Sequence, residues 1–181
     1  MKNLIRLILI IEFLSLNNLN SQEIISELNE SNKLEAVKIT EIQDKTEQEI
    51  YKAVLDWTSY TFRNTESVIQ AQVENEMIRL NGISSGVLDG PMGFNYGLGY
   101  TIQIEIKPNK LRFRVYDLNM IGVDAARTKT PMELTLLKRN GKKRSSTNFE
   151  KYKIDSDNEI NRIYKSLYES ITNDKKEKSD W

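Results

Sequence analysis

Residues 100–117 read Y-T-I-Q-I-E-I-K-P-N-K-L-R-F-R-V-Y-D, and this stretch decides the fold. Apolar and polar residues alternate on both sides of Pro108-Asn109, which is the two-residue period of strands with one buried face. The stretch therefore predicts a β-hairpin. A shift of one residue would turn charged side chains into the core, so the pattern also predicts the register. The apolar cross-strand pairs are Ile106 with Leu111, Ile104 with Phe113, and Ile102 with Val115.

The outward face of the same hairpin is polar. Glu105 lies opposite Arg112 there, a cross-strand pair worth about 0.2–1 kcal/mol. Because Tyr and Arg are enriched at the centres of protein interfaces, we predict that this face binds a protein partner, a second copy or a small ligand. The alternative is an ordinary solvated sheet face. The candidate binding residues are Gln103, Arg112, Arg114 and Tyr116, with Thr101 and Glu105 beside them.

Two capping-box patterns predict where helices begin. Thr46 and Glu49 have the spacing that satisfies two free amide donors, and apolar residues at helical spacing follow. They predict a helix over 47–62, with Trp57 and Phe62 in the core.

The same spacing recurs at Ser156 and Glu159 and predicts the start of a last helix, whose apolar face reaches Ile171. Alternation and β-branched residues predict the remaining strands. These strands are placed at 34–40, 67–73, 76–83 and 132–137.

This order of elements predicts an α+β fold. It runs strand, helix, four strands, helix, with an insertion at about 123–154 before the last helix. A mostly antiparallel sheet with both helices on one face is the packing that buries the apolar sides. We predict a single domain over 33–172, preceded by a polar lead-in at 22–32 and followed by a charged tail at 173–181.

The N-terminus has the pattern of an export signal. Lys2 and Arg6 precede a short apolar run that ends near Leu16, and small residues follow at Asn20-Ser21. We predict a signal peptide over 1–21 and a mature protein in the periplasm or outside the cell. An amphipathic N-terminal helix is the alternative. The run is too short and too charged for a membrane span, so we expect none after signal removal.

Composition excludes several classes of chemistry. The chain has no His and no Cys, which excludes Ser-His-Asp and Cys-His catalysis, thiolate metal sites and a lipid-modified cysteine. Lys plus Arg equals Asp plus Glu, 26 against 26, so no net charge favours nucleic acid. We expect no nucleic-acid partner, no cofactor and no metal.

Residues 34–122 resemble a known family. The resemblance rests on T-E-Q-E-I-Y-K-A-V-L-D-W-T-S-Y-T-F, S-V-I-Q-A-Q, I-R-L-N-G-I-S-S-G and the opening hairpin. The family is an uncharacterised exported bacterial domain of unknown function with a TATA-binding-protein-like fold. The resemblance implies a β-α-β4-α domain behind a signal peptide, and it brings no activity or catalytic residues. It does not cover 123–154, and a fold name alone does not imply DNA binding.

Six of the eight glycines fall between residues 82 and 99. Gly97-Leu98-Gly99 is not a dinucleotide fingerprint, because Ile102 occupies the third position and a strand follows instead of a helix. We predict a long loop or a wide hairpin connection, with a mobile binding loop as the functional alternative.

Two other functions stay open. A His-free hydrolase would use carboxylates near the glycine-rich stretch, although no spacing singles out a pair. A polyanion binder would use basic residues around Asn140-Gly141, where the alternative is a solvated turn. The acidic candidates are Asp89, Glu105, Asp117 and Asp124. The basic candidates are Lys138, Arg139, Lys142, Lys143 and Arg144.

Overall fold

The computed structural model describes residues 23–123, 127–138, 142, 144 and 147–173. Within them, seven strands form one sheet in the order β1-β2-β6-β5-β4-β3, with β7 paired to the end of β6. Every strand pair is antiparallel. The strands are β1 Glu27–Leu28, β2 Leu34–Glu41, β3 Ile69–Val73, β4 Met77–Asp89, β5 Asn95–Lys107, β6 Lys110–Ile121 and β7 Lys129–Pro131. The helices are α1 Glu47–Thr61, α2 Thr65–Val68, α3 Met132–Leu136 and α4 Thr147–Thr172.

Helices α1 and α4 pack against one face of the sheet, which confirms the predicted α+β architecture. The capping box at Thr46 and Glu49 is present and starts α1. Trp57 is buried and donates from its indole nitrogen to Ser166 Oγ at 3.1 Å, which joins the two helices. Phe62 packs edge-on against Trp57, with ring centroids 5.8 Å apart. The core lies between this helical layer and the apolar face of the sheet.

The opening hairpin has the predicted register. Ile104 pairs with Phe113, both fully buried, and Glu105 pairs with Arg112 on the other face. The turn is the two-residue loop Pro108-Asn109, in which Asn109 has a φ of 58°. Proline followed by a residue of positive φ is the pattern of a type II turn, which differs from the type I′ and II′ turns that two-residue hairpins favour.

The glycine-rich stretch is a hairpin with long strands, not a loop. β4 and β5 are 13 residues each and are joined across the 3₁₀ turn Pro91–Gly93. Gly82 lies under the ring of Tyr100, where a Cβ atom would come within 2.3 Å of Tyr100 Cε2. Here glycine is required for close packing inside a strand and not for a loose connection.

Two sequence predictions near the C-terminus are wrong. Residues Met132–Leu136 form a helical turn and not a strand, because a short apolar run does not by itself distinguish the two. The last helix begins at Thr147, so the predicted insertion at 123–154 includes its first two turns. Ser156 lies in the helix interior, where its hydroxyl donates to the carbonyl of Tyr152.

Residues 23–32 of the predicted polar lead-in (22–32) are ordered and partly buried. The amide of Ile24 donates to Asn161 Oδ1 at 2.9 Å, and Asn161 Nδ2 donates to the Ile24 carbonyl at 2.8 Å. Two residues on, Ser26 donates its amide and its hydroxyl to Asp157 Oδ1. We call this contact between residues 24–26 and α4 the N-terminal clasp.

Candidate functional site

The sheet face opposite α1 and α4, called here the open face, carries all four candidate binding residues. Antiparallel pairing places outward side chains of five strands in continuous rows. Four strand spacings of about 4.8 Å give these rows a length of about 19 Å. One row is Val37, Arg114, Gln103, Arg79 and Ala71. The next is Ile39, Arg112, Glu105, Met77 and Val73.

A polar network links the middle of these rows. Gln103 Oε1 accepts from Arg79 Nε and Nη2 at 3.1 and 2.9 Å, and Tyr116 donates to the same oxygen at 3.5 Å. Gln103 Nε2 donates to Glu105 Oε1 at 2.6 Å. The other oxygen of Glu105 accepts from Arg112. Gln103 therefore holds side chains of β4, β5 and β6 in one arrangement.

Arg114 extends this network to β2. Its Nη2 donates to Glu35 Oε2 at 2.6 Å, and its guanidinium carbon lies 4.9 Å from the ring centroid of Tyr116. A guanidinium over a Tyr ring is an attractive contact. Arg114 is held from two sides and presents a fixed positive group on the open face.

The carboxylates of the network are charged at neutral pH. The hydrogen bond from Arg114 holds the pKa of Glu35 below its ordinary value of 4.5. The hydrogen bond from Arg112 has the same effect on the pKa of Glu105. The network is therefore a set of ion pairs that is ordered before any partner arrives.

Apolar side chains flank the network on β2 and on the edge strand β3. Ile39 and Val37 on β2 are 63% and 46% exposed, and Val73 on β3 is 45% exposed. Exposed β-branched residues on both sides of a polar centre are a mixture that protein interfaces use. The open face therefore presents both polar and apolar side chains between β2 and β3.

The structure brings Gln103, Arg112, Arg114 and Tyr116 together, as the alternation of the hairpin requires. Sequence reasoning missed two members of the network, Glu35 and Arg79. Each is an outward residue of its own strand. Only the strand order, which places β2 beside β6 and β4 beside β5, shows that they complete the set.

The carboxylates proposed for a hydrolase lie apart. Asp89 is at the turn end of β4 and pairs with Lys151 at 2.5 Å. Glu105 pairs across the sheet with Met77, at the opposite end of β4. At about 3.3 Å per residue these ends are about 40 Å apart. Asp117 occupies a bulge of β6 between them, and Asp124 lies outside the described residues.

Of the five basic residues proposed to bind polyanions, Lys138, Lys142 and Arg144 are described. The amide of Lys138 donates to the carbonyl of Lys142 at 2.8 Å, and the amide of Arg144 donates to Leu136. These bonds fold the segment back after α3. Arg139 and Lys143 lie outside the described part of the chain, as does the predicted Asn140-Gly141 turn.

Comparison with known proteins places the fold in a family. Residues 37–120 match the model of a domain of unknown function (DUF4468) with TBP-like fold. The chain carries a DUF4468 domain. The match runs from Val37 in β2 to Met120 in β6, so it contains the open-face network except Glu35. No curated protein matches the DUF4468 chain.

Two solved structures resemble the DUF4468 protein. A TBP-like protein from Parabacteroides distasonis ATCC 8503 aligns with a TM-score of 0.64 and 13% identity over 78% of this chain and 94% of that one. A DUF4468 family protein from Bacteroides ovatus ATCC 8483 aligns with a TM-score of 0.62 and 14% identity, covering 80% and 89%. At this identity the likeness shows the shared fold. No helix among the described residues of the DUF4468 chain has the length and apolar character to cross a bilayer.

Proposed function

We propose that this DUF4468 protein is exported and acts without catalysis, by binding a protein partner through the open face. The observation that carries the proposal is the ordered network on Gln103, Arg112, Arg114 and Tyr116 between two strips of exposed apolar residues. A width of about 19 Å suits a protein surface better than a small molecule. The charged N-terminal pattern with its apolar run supports export.

Arrangement of the charges supports a partner with its own charged groups. Three Arg side chains and two Glu side chains alternate across the network, so it offers both signs to a complementary surface. Since these groups are already hydrogen-bonded to one another, binding would cost little side-chain conformational entropy. Complementary charges would set orientation and association rate more than total affinity.

The first experiment replaces Arg114 and Tyr116 by Ala in the mature protein from residue 22. A partner is captured in the native host by crosslinking to the wild-type protein, purified, and titrated against both forms. We expect at least a tenfold weaker Kd for the variant, because it loses an interface cation and its aromatic support. Thermal stability should change little, since partly exposed ion pairs contribute about 0–1 kcal/mol.

A matched control is Lys52→Ala with Tyr60→Ala, which removes one cation and one Tyr from exposed positions of α1. This variant should bind the partner like the wild type. Equal loss in both variants, or unfolding of Arg114→Ala with Tyr116→Ala, would show that the open face is not the binding surface.

Fractionation of the host with an antibody to the mature protein tests export. Recovery in the cytoplasm alone would contradict that part of the proposal.

A further inference from the structure

Beyond the network, the open face deepens into a trough of about 650 Å³ at the glycine-rich end of the sheet. Its floor is the central part of β4 and β5 and the C-terminal end of β6. One wall is the segment from Phe62 to Val68, which follows α1, and the other contains Arg127 and Lys129. Volumes of about 300–1,000 Å³ are typical of small-molecule sites. None of the four candidate residues of the network lines this trough.

The trough is positively charged. Arg63 stands on one wall, with Arg127 and Lys129 on the other, and all three are exposed. None of them forms an ion pair within the part of the chain that the structure describes. Within the described part of the chain, Asp117 is the one acidic residue that lines the trough, so three positive groups face one negative group there. This arrangement differs from the network, where each Arg already has a polar partner.

The same trough has an apolar lining. Ile83 is 47% exposed on its floor, beside Gly99 in the next strand. Gly99 leaves room for the side chain of Ile121, because a Cβ atom at Gly99 would come within 3.0 Å of Ile121 Cδ1. Phe62 and Val68 add apolar surface along the wall. A ligand in the trough would meet cations at the rim and hydrocarbon beneath.

We propose that this trough binds a small organic anion with an apolar body, such as a medium-chain or aromatic carboxylate. Arg63 and Arg127 bind the anionic head, since guanidinium groups form paired hydrogen bonds with carboxylates. The body lies over Ile83 and against Phe62 and Val68. This site is additional to the protein-binding surface proposed above, and neither depends on the other.

Fluorescence titration with anilinonaphthalene sulfonate, an aromatic anion, tests the site in the protein from residue 22. We expect saturable binding that Arg63→Gln with Arg127→Gln weakens at least tenfold. Lys52→Gln with Lys165→Gln removes the same charge from exposed positions of α1 and α4 and should leave binding unchanged. Ile83→Ser should weaken binding without loss of charge. Equal affinities for the two double variants would overturn the proposal.

Competition defines the ligand class. Decanoate should displace the probe, whereas decanol and inorganic phosphate should each compete at least tenfold less well. If phosphate competes as well as decanoate, the apolar floor has no role and the proposal is wrong. If decanol competes equally, the cations have no role and it is also wrong. Should the Arg double variant fail to fold, the single variants Arg63→Gln and Arg127→Gln provide the comparison, each against Lys52→Gln alone. Partner capture measured on Arg63→Gln with Arg127→Gln should be normal, which separates this site from the protein-binding surface.

Discussion

Gly82 and Tyr100 show how one missing side chain organises a buried polar cluster. The Tyr100 ring occupies the place of a Gly82 side chain, and its hydroxyl lies 3.2 Å from Ser84 Oγ. Ser84 also donates to Glu159, which Arg162 contacts through both carboxylate oxygens. Burial raises the pKa of Tyr100, so the phenol stays neutral and available as a donor. The cluster attaches β4 and β5 to α4.

Replacing Gly82 by Ala should therefore lower the free energy of unfolding by about 1–3 kcal/mol, the usual cost of overpacking a core. The cost should nearly vanish when Tyr100 is also Ala, because the ring that clashes is gone. Urea denaturation of the four forms of this double-mutant cycle measures the coupling. The same cost in both backgrounds would mean that the strand, and not the ring, resists the methyl group.

Among the elements, those with strong local signals are the ones that sequence predicted. The hairpin of β5 and β6 follows from strict alternation, and α1 from a capping box that the structure contains. Ser156 and Glu159 copy that spacing inside α4, where Glu159 turns to Ser84 and Arg162 instead of capping an end. Capping residues and tertiary partners look alike in sequence because both use Ser, Thr and Glu side chains.

The elements that sequence missed depend on distant partners. The segment at Ile24 and Ser26 has no regular pattern, and its hydrogen bonds go to α4. Membership of Glu35 and Arg79 in the network likewise depends on strand order, which alternation within one strand does not contain. Local periodicity specifies which face a side chain takes, and only the assembled sheet specifies its neighbour.

Asn161→Ala tests whether the N-terminal clasp stabilises the fold. It leaves the amide and carbonyl of Ile24 without their side-chain partner, which should cost about 1–3 kcal/mol. Hydrogen exchange at the Ile24 and Ser26 amides should accelerate more than exchange in β5. Asn158→Ala, at an exposed position of the same helix, is the control and should change neither. Unchanged exchange at Ile24 in the Asn161 variant would show that the clasp contributes no local stability.

At the scale of the whole molecule, the absence of His and Cys sets the response to pH. No side chain has an ordinary pKa between about 5 and 8, so stability should be flat over that range. Below about pH 5, stability depends on the carboxyl groups whose pKa values are lowered in the folded state. Hydrogen bonds from Arg114 and Arg112 lower the pKa of Glu35 and of Glu105. Burial raises the pKa of Glu159, but hydrogen bonds from Arg162 and Ser84 outweigh this effect and lower it overall.

Because the folded pKa values lie below the ordinary 4.5, the unfolded chain binds more protons as the pH falls through that value. Stability from these groups is complete above pH 4.5 and declines below it. Urea denaturation between about pH 7 and pH 3 should show this decline, and Glu159→Gln should reduce its slope while costing about 1–2 kcal/mol at neutral pH. Glu169→Gln, at an exposed position, is the control. A variant slope equal to the wild type would contradict the assignment.

The N-terminal clasp also has a consequence in time. Its bond between Ile24 and Asn161 spans 137 residues of sequence. At about 5–20 residues per second of synthesis, roughly 7–30 s pass between the emergence of one partner and the other. During that interval residues 24–26 have no helix to bind. The N-terminal clasp can therefore form only after α4 has been synthesised.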